Sequence, residues 1–272
     1  MRTEQDPSDP YEPYRAAVLR TRAFDYRLGF FLAYYRSFAA PESAARLVRT
    51  GVILREPQKR SYDTAIVIME QIIAGYESPR GRQITELLVR AHERVKATPE
   101  VYLYTLLSLH VVPTRWIDEH GARPLTDEER AASFAFYIEM GRRMGLVDLP
   151  VDEASAIDFY DAFERDVVRR TPDTVALMDA TVSVLAGRMP RILRRLVRPV
   201  LASLVGDPHM CDTLGLSPAP RAFTAIVMAA LRLRSRFARP ASRDAFVPGR
   251  SASTQYPSGY ALEDLGPTVP TR

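Results

Sequence analysis

The sequence has only one cysteine and no long apolar run, and each absence excludes a class of protein. The single cysteine, Cys211, rules out an intrachain disulfide and creates no need for an oxidising compartment. No run of about 18 uncharged apolar residues occurs, so no transmembrane helix is predicted. Residues 1–7 are polar and acidic, unlike the apolar stretch of a signal peptide. Together these absences predict a soluble, cytoplasmic protein.

Several sequence motifs that carry chemistry are also missing. There is no Gly-x-Gly-x-x-Gly or Walker-type loop for a nucleotide, and no Gly-x-Ser-x-Gly elbow for a hydrolase. The zinc motif His-Glu-x-x-His begins at His92 but fails because the fifth position is Lys96. The Glu-x-x-His pairs of di-iron bundles are missing too. A metal site with several Cys or His ligands would need residues that lie far apart in the chain.

The 272 residues carry a net charge of +4 and have a pI of about 9.3. This excess is small and is not interleaved with aromatic residues, so no nucleic-acid partner is predicted. One basic cluster has helical spacing and lies opposite Ile192, Leu196 and Val200. Its members are Arg188, Arg191, Arg195 and Arg198. Such a helix is either an ordinary solvated face or a peripheral contact with an anionic membrane surface, and no transmembrane segment is needed for either.

Apolar residues recur every three or four positions almost throughout, which predicts an all-α fold built as a single-domain multi-helix bundle. The predicted helices are 14–37, 42–50, 57–75, 80–96, 100–112, 127–145, 153–169, 172–186, 189–205 and 219–237. The predicted breaks fall at Pro41, Pro57, Pro79, Pro99, Pro113, Pro124, Pro150, Pro172 and Pro218. Thr126 followed by Glu129 predicts a capping box, and Thr98-Pro99 predicts a helix start.

The two ends of the chain differ from this helical body. Residues 1–12 are predicted to be a flexible arm, and residues 13–239 a single all-helical domain. Residues 240–272 form a polar tail rich in Pro and Ser, without periodicity. The tail is predicted to lie over the surface or to be disordered, with a lid or a partner-binding segment as the alternative.

Four histidines are candidates for chemistry. His120 lies in a polar turn and is predicted to be solvated, while His209 lies in a loop beside Met210 and Cys211. His92 and His110 instead follow apolar stripes of predicted helices. A neutral imidazole that faces a core needs a hydrogen-bond partner or a metal, because an unpaired buried polar group costs about 1–3 kcal/mol. Each of these two is therefore either a satisfied core residue or a metal ligand.

Arg60 and Thr64 lie four residues apart and are neighbours on one helix face, ahead of an apolar stretch. A cation and a hydroxyl at the border of an apolar face suit a cofactor carboxylate or a polar ligand. The alternative is an ordinary first helical turn, with Asp63 near the positive end of the helix dipole and Arg60 in solvent.

The order of these signals resembles the MpaB and rubber-oxygenase family of haem b proteins. The resemblance covers roughly residues 15–237. It begins with Pro41 and Arg60-x-x-x-Thr64, continues through Ala91-His92-Glu93-Arg94-Val95, and then includes Gly121-Ala122-Arg123-Pro124-Leu125 with Glu129-Arg130. It ends with Met144-Gly145 and Pro150. No single motif is specific, and the resemblance depends on their order and spacing.

The resemblance implies that His92 is the axial ligand of haem iron and that Arg60 and Thr64 are the polar pair beside the haem. One departure concerns Asp63, because latex-clearing proteins carry a lysine immediately before the motif threonine. A lysine-capped iron is therefore not implied, and rubber is not the expected substrate. The upstream catalytic glutamate of the family has no clear counterpart, and Glu42 is the nearest candidate.

These residues lead to the hypothesis of a haem-dependent oxygenase that acts on an apolar, unsaturated small molecule with dioxygen. Haem supplies the oxygen chemistry, and the protein supplies the imidazole, an apolar cavity and a few polar groups. Two alternatives stay open: a helical protein that binds an apolar ligand without chemistry, and a haem-free enzyme that uses the same cavity.

Overall fold

The computed structural model describes residues 9–237, 244, 246–250 and 255–266. In chain order its α-helices are α1 (Glu12–Ala16), α2 (Ala23–Arg36), α3 (Pro41–Thr50), α4 (Val52–Arg55), α5 (Pro57–Ala74), α6 (Pro79–Val95), α7 (Pro99–His120), α8 (Asp127–Arg143), α9 (Glu153–Asp166), α10 (Pro172–Gly187), α11 (Val197–Val205), α12 (Pro208–Thr213) and α13 (Arg221–Phe237). No β-strand occurs in these residues. The predicted all-α class is confirmed.

Proline and capping side chains begin many of these helices, as predicted. Pro41, Pro57, Pro79, Pro99 and Pro172 are the first residues of their helices, where the missing N–H costs no hydrogen bond. In the capping box that begins α8, Glu129 N donates to the threonine hydroxyl at 3.1 Å, and Thr126 N donates to the glutamate carboxylate at 2.9 Å.

The core is built around α2 and α7, which form the most extensive helix pair. The prediction that a helix ends before Pro113 is wrong, because α7 continues through it to His120. A side-chain carbon on Gly29 would lie 2.5 Å from Pro113 Cα, so the glycine lets α2 lie against α7 at this point. A proline inside a helix costs about 3 kcal/mol. Burial of several large α7 side chains, Leu107 and Val111 among them, outweighs that cost.

The predicted basic helix 189–205 is wrong in its first half. Residues Arg191–Leu196 form a 3-10 segment, and only then does α11 begin. Pro199 has no N–H to donate to the carbonyl of Arg195 and its ring crowds that carbonyl, so a continuous α-helix through these residues is disfavoured. Ile192 and Leu196, predicted to lie on a face opposite the arginines, are both exposed. Within the described residues, no helix has the length and apolar content needed to cross a membrane.

Part of the predicted polar tail packs against the helical body. In what we call the C-terminal segment (residues 255–266), four apolar side chains are buried against Ile66, Val67 and Ile84. They are Tyr256, Tyr260, Leu262 and Leu265. Residues 1–8 of the predicted arm, and residues 238–243, 245, 251–254 and 267–272 of the last part of the chain, lie outside the described residues.

Two buried carboxylates of α5 hold the C-terminal segment. The Tyr256 hydroxyl donates to Asp63 Oδ1 at 2.5 Å, and Lys59 Nζ lies 2.8 Å from Asp63 Oδ2. Two turns further along α5, the Tyr260 hydroxyl donates to Glu70 Oε1 at 2.7 Å. The role of these carboxylates could not be predicted from a sequence pattern, because each tyrosine partner lies about 190 residues away in the chain.

Candidate functional site

His92 is positioned by α6, which returns along α5 after a tight turn. A side-chain carbon on Gly81 would lie 1.9 Å from the carbonyl oxygen of Gly75, so the two helices can meet this closely only with glycine there. Ser78 caps the start of α6 by accepting a hydrogen bond from Gly81 N at 2.9 Å. Ile84 anchors α6 in the interior, and His92 lies two turns later, half-buried, in the last turn of the helix.

One ring nitrogen of His92 is committed and the other is not. Nδ1 lies 2.7 Å from the carbonyl oxygen of Leu88, one turn earlier. Because a carbonyl can only accept, Nδ1 carries the proton and Nε2 keeps its lone pair. Among the described residues, Nε2 has no hydrogen-bond partner. This is the arrangement that metal-binding histidines use, in which the second nitrogen is fixed by a carbonyl or a carboxylate.

The ring of His92 is held in its neutral form. Burial lowers the pKa of His92 below its ordinary value of 6.5. The hydrogen bond with Leu88 opposes this shift, and the positive charge of Arg60 lowers the pKa further. A lowered pKa means that the imidazole is unprotonated at neutral pH, which a metal ligand requires.

Tyr102 supports the last turn of α6 from the next helix. Its hydroxyl donates to the carbonyl of His92 at 2.6 Å and accepts from Ala97 N at 3.1 Å. Its ring meets the imidazole edge to face, with 5.3 Å between the centroids. The start of α7 therefore fixes both the backbone and the ring of His92. Sequence reasoning missed Tyr102, since no local pattern links it to His92.

A cavity of about 270 Å³ lies beside His92. Its lining is mostly apolar but includes one acid and one amine; the residues are Val89, His92, Glu93, Lys96, Tyr102, Met144 and Leu146. Met144 and Leu146 come from the turn that follows α8, at the Met144-Gly145 junction that carries part of the family resemblance. Val89 and Glu93, one turn apart on α6, line the cavity together with the imidazole.

Arg60 and Thr64 form a hydrogen-bonded pair on α5. The Arg60 guanidinium donates to the Thr64 hydroxyl, and that hydroxyl donates to the carbonyl of Arg60 at 2.9 Å. Both side chains are half-buried. Arg60 is close enough for its charge to lower the pKa of His92, so the structure brings two of the three predicted site residues within electrostatic reach. Thr64 joins them through Arg60, and no direct contact of Thr64 with His92 occurs in the described residues.

Asp63 faces away from this group. It is 3% exposed and accepts from Lys59, from the Tyr256 hydroxyl and, at 2.9 Å, from Gly266 N. Asp63, at the position where the resemblance to latex-clearing proteins would imply a lysine, is thus part of the attachment of the C-terminal segment.

Glu42 is also engaged elsewhere. Its carboxylate accepts from Arg46 at 2.8 Å, from Thr98 N at 3.1 Å and from the Thr98 hydroxyl at 2.9 Å. Burial acts to raise the pKa of Glu42, but these hydrogen bonds outweigh it and lower the pKa. Glu42 therefore ties α3 to the start of α7 as an ionised group.

The other histidines are satisfied by protein groups or lie outside the site. In His110, which is fully buried, Nδ1 lies 2.9 Å from Ser133 Oγ and Nε2 lies 3.0 Å from Glu153 Oε1. The prediction that His120 is a solvated turn residue is wrong, because it ends α7 with its ring on Trp116, 4.4 Å between centroids.

His209 lies on the short helix α12 and not in a loop. It is exposed, and its Nε2 lies 3.0 Å from the carbonyl oxygen of Val168. Over the part of the chain that the structure describes, no three His, Cys, Asp or Glu side chains are grouped closely enough to hold a metal.

Comparison with known proteins places this geometry in context. The chain matches the family model of the catalytic domain of the ER-bound oxygenase MpaB and rubber oxygenase over residues 26–237. No curated protein matches it. The solved structure of latex clearing protein in its closed state is similar in fold, with a TM-score of 0.53 and 16% identity. That match covers 86% of this chain and 67% of the other. The family match spans most of the chain, from α2 to α13, and the chain therefore belongs to the MpaB and rubber-oxygenase catalytic-domain family.

Proposed function

We propose that this protein is a haem-dependent oxygenase that acts on an apolar, unsaturated small molecule with dioxygen as co-substrate. One observation carries the proposal. The imidazole of His92 is neutral, its Nδ1 is fixed by the carbonyl of Leu88, and its Nε2 is unpaired among the described residues. Membership of an oxygenase family supports the reaction class.

The residues around His92 suit haem b. Haem iron needs only one protein nitrogen, and this fold offers one buried enough to stay neutral. The cavity beside it has an apolar lining for a porphyrin ring, while Lys96 and Arg60 supply positive charge for propionates. The cavity volume of about 270 Å³ is slightly smaller than the volume of most ligand pockets, which is about 300–1,000 Å³. A porphyrin would therefore extend beyond this cavity or displace side chains that line it.

In this proposal each protein group has a limited task. Bound haem supplies the chemistry of dioxygen activation and carbon oxygenation. The carbonyl of Leu88 fixes the ring orientation of His92 and increases the basicity of Nε2. Tyr102 holds the backbone of His92 in place. Arg60 offers a charge, and Thr64 a hydroxyl that can be redirected from its helical carbonyl to a polar ligand.

The test is a titration of the purified protein with haemin, in which binding is measured from the absorbance of the haem Soret band. The wild-type protein is expected to bind one haem per chain. His92→Ala should lose the band or bind haem at least a hundredfold more weakly, and added imidazole should restore part of the absorbance. The exposed His209 is the matched control, and His209→Ala should bind as the wild type does.

Two results would contradict the proposal. If the protein takes up no haemin, an apolar-ligand carrier or a haem-free enzyme is the better description. If His92→Ala keeps the band while another histidine variant loses it, haem binding stands but the assigned ligand is wrong. Reaction of haem-loaded protein with olefins under isotopically labelled oxygen, followed by product mass, would then test the reaction itself.

A further inference from the structure

The surface between α10 and α11 has an unusual composition. Residues 187–196, which we call the basic turn, are all exposed. Four of them are arginines (Arg188, Arg191, Arg194 and Arg195). Four others are large and apolar, with Ile192 69% exposed; the other three are Met189, Leu193 and Leu196. Large aliphatic side chains are normally buried. A group of them exposed together therefore indicates a contact surface.

Among the described residues, no carboxylate neutralises the charge of the basic turn. No Asp or Glu occurs between Asp179 and Asp207. Within the described part of the chain, none of the four arginines pairs with a carboxylate, whereas the next one, Arg198, pairs with Asp179. Some exposed arginines elsewhere in the described residues are paired, as Arg165 is with Asp166 at 2.9 Å, and some are not, as Arg169 contacts only a carbonyl. The basic turn thus presents free positive charge around an apolar centre.

From this surface we infer that the basic turn docks the protein on a membrane that contains anionic phospholipid. Arginines attract anionic headgroups, while the aliphatic side chains between them can enter the boundary of the acyl chains. Other partners fit less well. A single-stranded nucleic acid would be expected to stack on aromatic side chains, and residues 187–196 contain none. A two-fold dimer through this surface would bring like charges together.

The position of the turn relates it to the candidate site. The Arg188 guanidinium lies 5.0 Å from the centre of the Tyr62 ring. Tyr62 belongs to α5, the helix that carries Arg60 and Thr64. A membrane contact here would hold α5 near the bilayer, where apolar small molecules are concentrated.

Vesicle sedimentation with the full chain tests the inference. Vesicles of phosphatidylcholine with about 30% phosphatidylglycerol should bind the protein, and pure phosphatidylcholine vesicles should not. Raising salt from about 0.1 M to about 1 M should weaken the binding, because the screening length falls from about 10 Å to about 3 Å.

Two variants separate charge from apolar contact. The triple variant Arg191→Gln, Arg194→Gln, Arg195→Gln should bind roughly a hundredfold more weakly, since each cation near an anionic surface contributes roughly fivefold. Ile192→Ser with Leu193→Ser should also bind at least tenfold more weakly, because each fully buried apolar side chain contributes roughly tenfold or more. Val151→Ser is the matched control, with an apolar side chain that is 91% exposed beside the acidic Asp152, and should bind as the wild type does.

The substituted side chains are exposed, so unchanged circular dichroism and melting temperature are expected for every variant. The inference is overturned if wild-type protein ignores anionic vesicles, or if neither variant weakens its binding. It is also overturned if the wild type forms a dimer that Ile192→Ser with Leu193→Ser abolishes, without any vesicle binding.

Discussion

His110 and His92 lie on neighbouring helices, and their ring nitrogens meet different surroundings. His110 contacts Ser133 through one nitrogen and Glu153 through the other. His92 uses one nitrogen on its own helix and leaves the second beside a cavity. A histidine with both nitrogens occupied ties helices together, whereas a histidine with one free nitrogen can accept a ligand. The degree of burial does not identify the histidine that can bind a ligand, because the more buried ring, that of His110, has no free nitrogen.

The largest difference is expected in stability. His110→Ala removes a buried ring and leaves Ser133 and Glu153 without their partner, so the free energy of unfolding should fall by about 3 kcal/mol. His92→Ala removes a half-buried ring with one local hydrogen bond and should cost about 1 kcal/mol. Urea unfolding of both variants measures the difference. Equal losses would show that the two histidines support the fold to the same degree.

A smaller effect tests how His92 is held in place. Tyr102→Phe keeps the ring contact but removes the hydroxyl that bridges the carbonyl of His92 and the amide of Ala97. We expect a loss of about 1 kcal/mol. The exchange rate of the Ala97 amide hydrogen should rise, while that of amides around His110 should not change. Unchanged exchange at Ala97 would argue that the end of α6 does not depend on Tyr102.

The smallest effect is a pH dependence. Burial, aided by the charge of Arg60, lowers the pKa of His92 in the folded state below the unfolded value of about 6.5. The unfolded state therefore binds more protons, and the contribution of His92 to stability is present above pH 6.5 and is lost as the pH falls below it.

Stability measured against pH, compared with His92→Gln, tests this sign. The wild type should lose stability relative to the variant as the pH falls below about 6.5. Arg60→Gln should reduce this loss, because removing the positive charge raises the pKa of His92. A wild-type protein that gains stability on acidification relative to His92→Gln would contradict the assignment of a neutral ring.

Much of the helical architecture could be predicted from local signals. Periodicity and the prolines at helix starts depend on neighbouring residues, and the capping box from Thr126 to Glu129 is found as predicted. The continuation of α7 through Pro113 could not be predicted, because it depends on Gly29 in another helix. The same holds for the exposed basic turn, since a helical pattern does not tell which residues will find a partner.

The candidate site could likewise be predicted only in part from the sequence. The sequence singled out His92, Arg60 and Thr64, and the structure places Arg60 close enough to influence the imidazole. Their roles remain proposals. Tyr102 and the role of Asp63 could not be inferred, because both depend on contacts between parts of the chain that no local pattern connects.

The attachment of residues 255–266 has a consequence for how much of the chain is needed for folding. The family match stops at residue 237, yet Asp63 and Glu70 on the central helix α5 depend on Tyr256 and Tyr260 for hydrogen bonds. A protein cut at the family boundary would expose Ile66 and Ile84 to water. It would leave Asp63 with Lys59 and Glu70 with Arg80, but it would remove the tyrosine donor of each acid, on the helix that bears Arg60 and Thr64. We therefore expect the folding unit to extend beyond residue 237, because four side chains of the C-terminal segment belong to the interior.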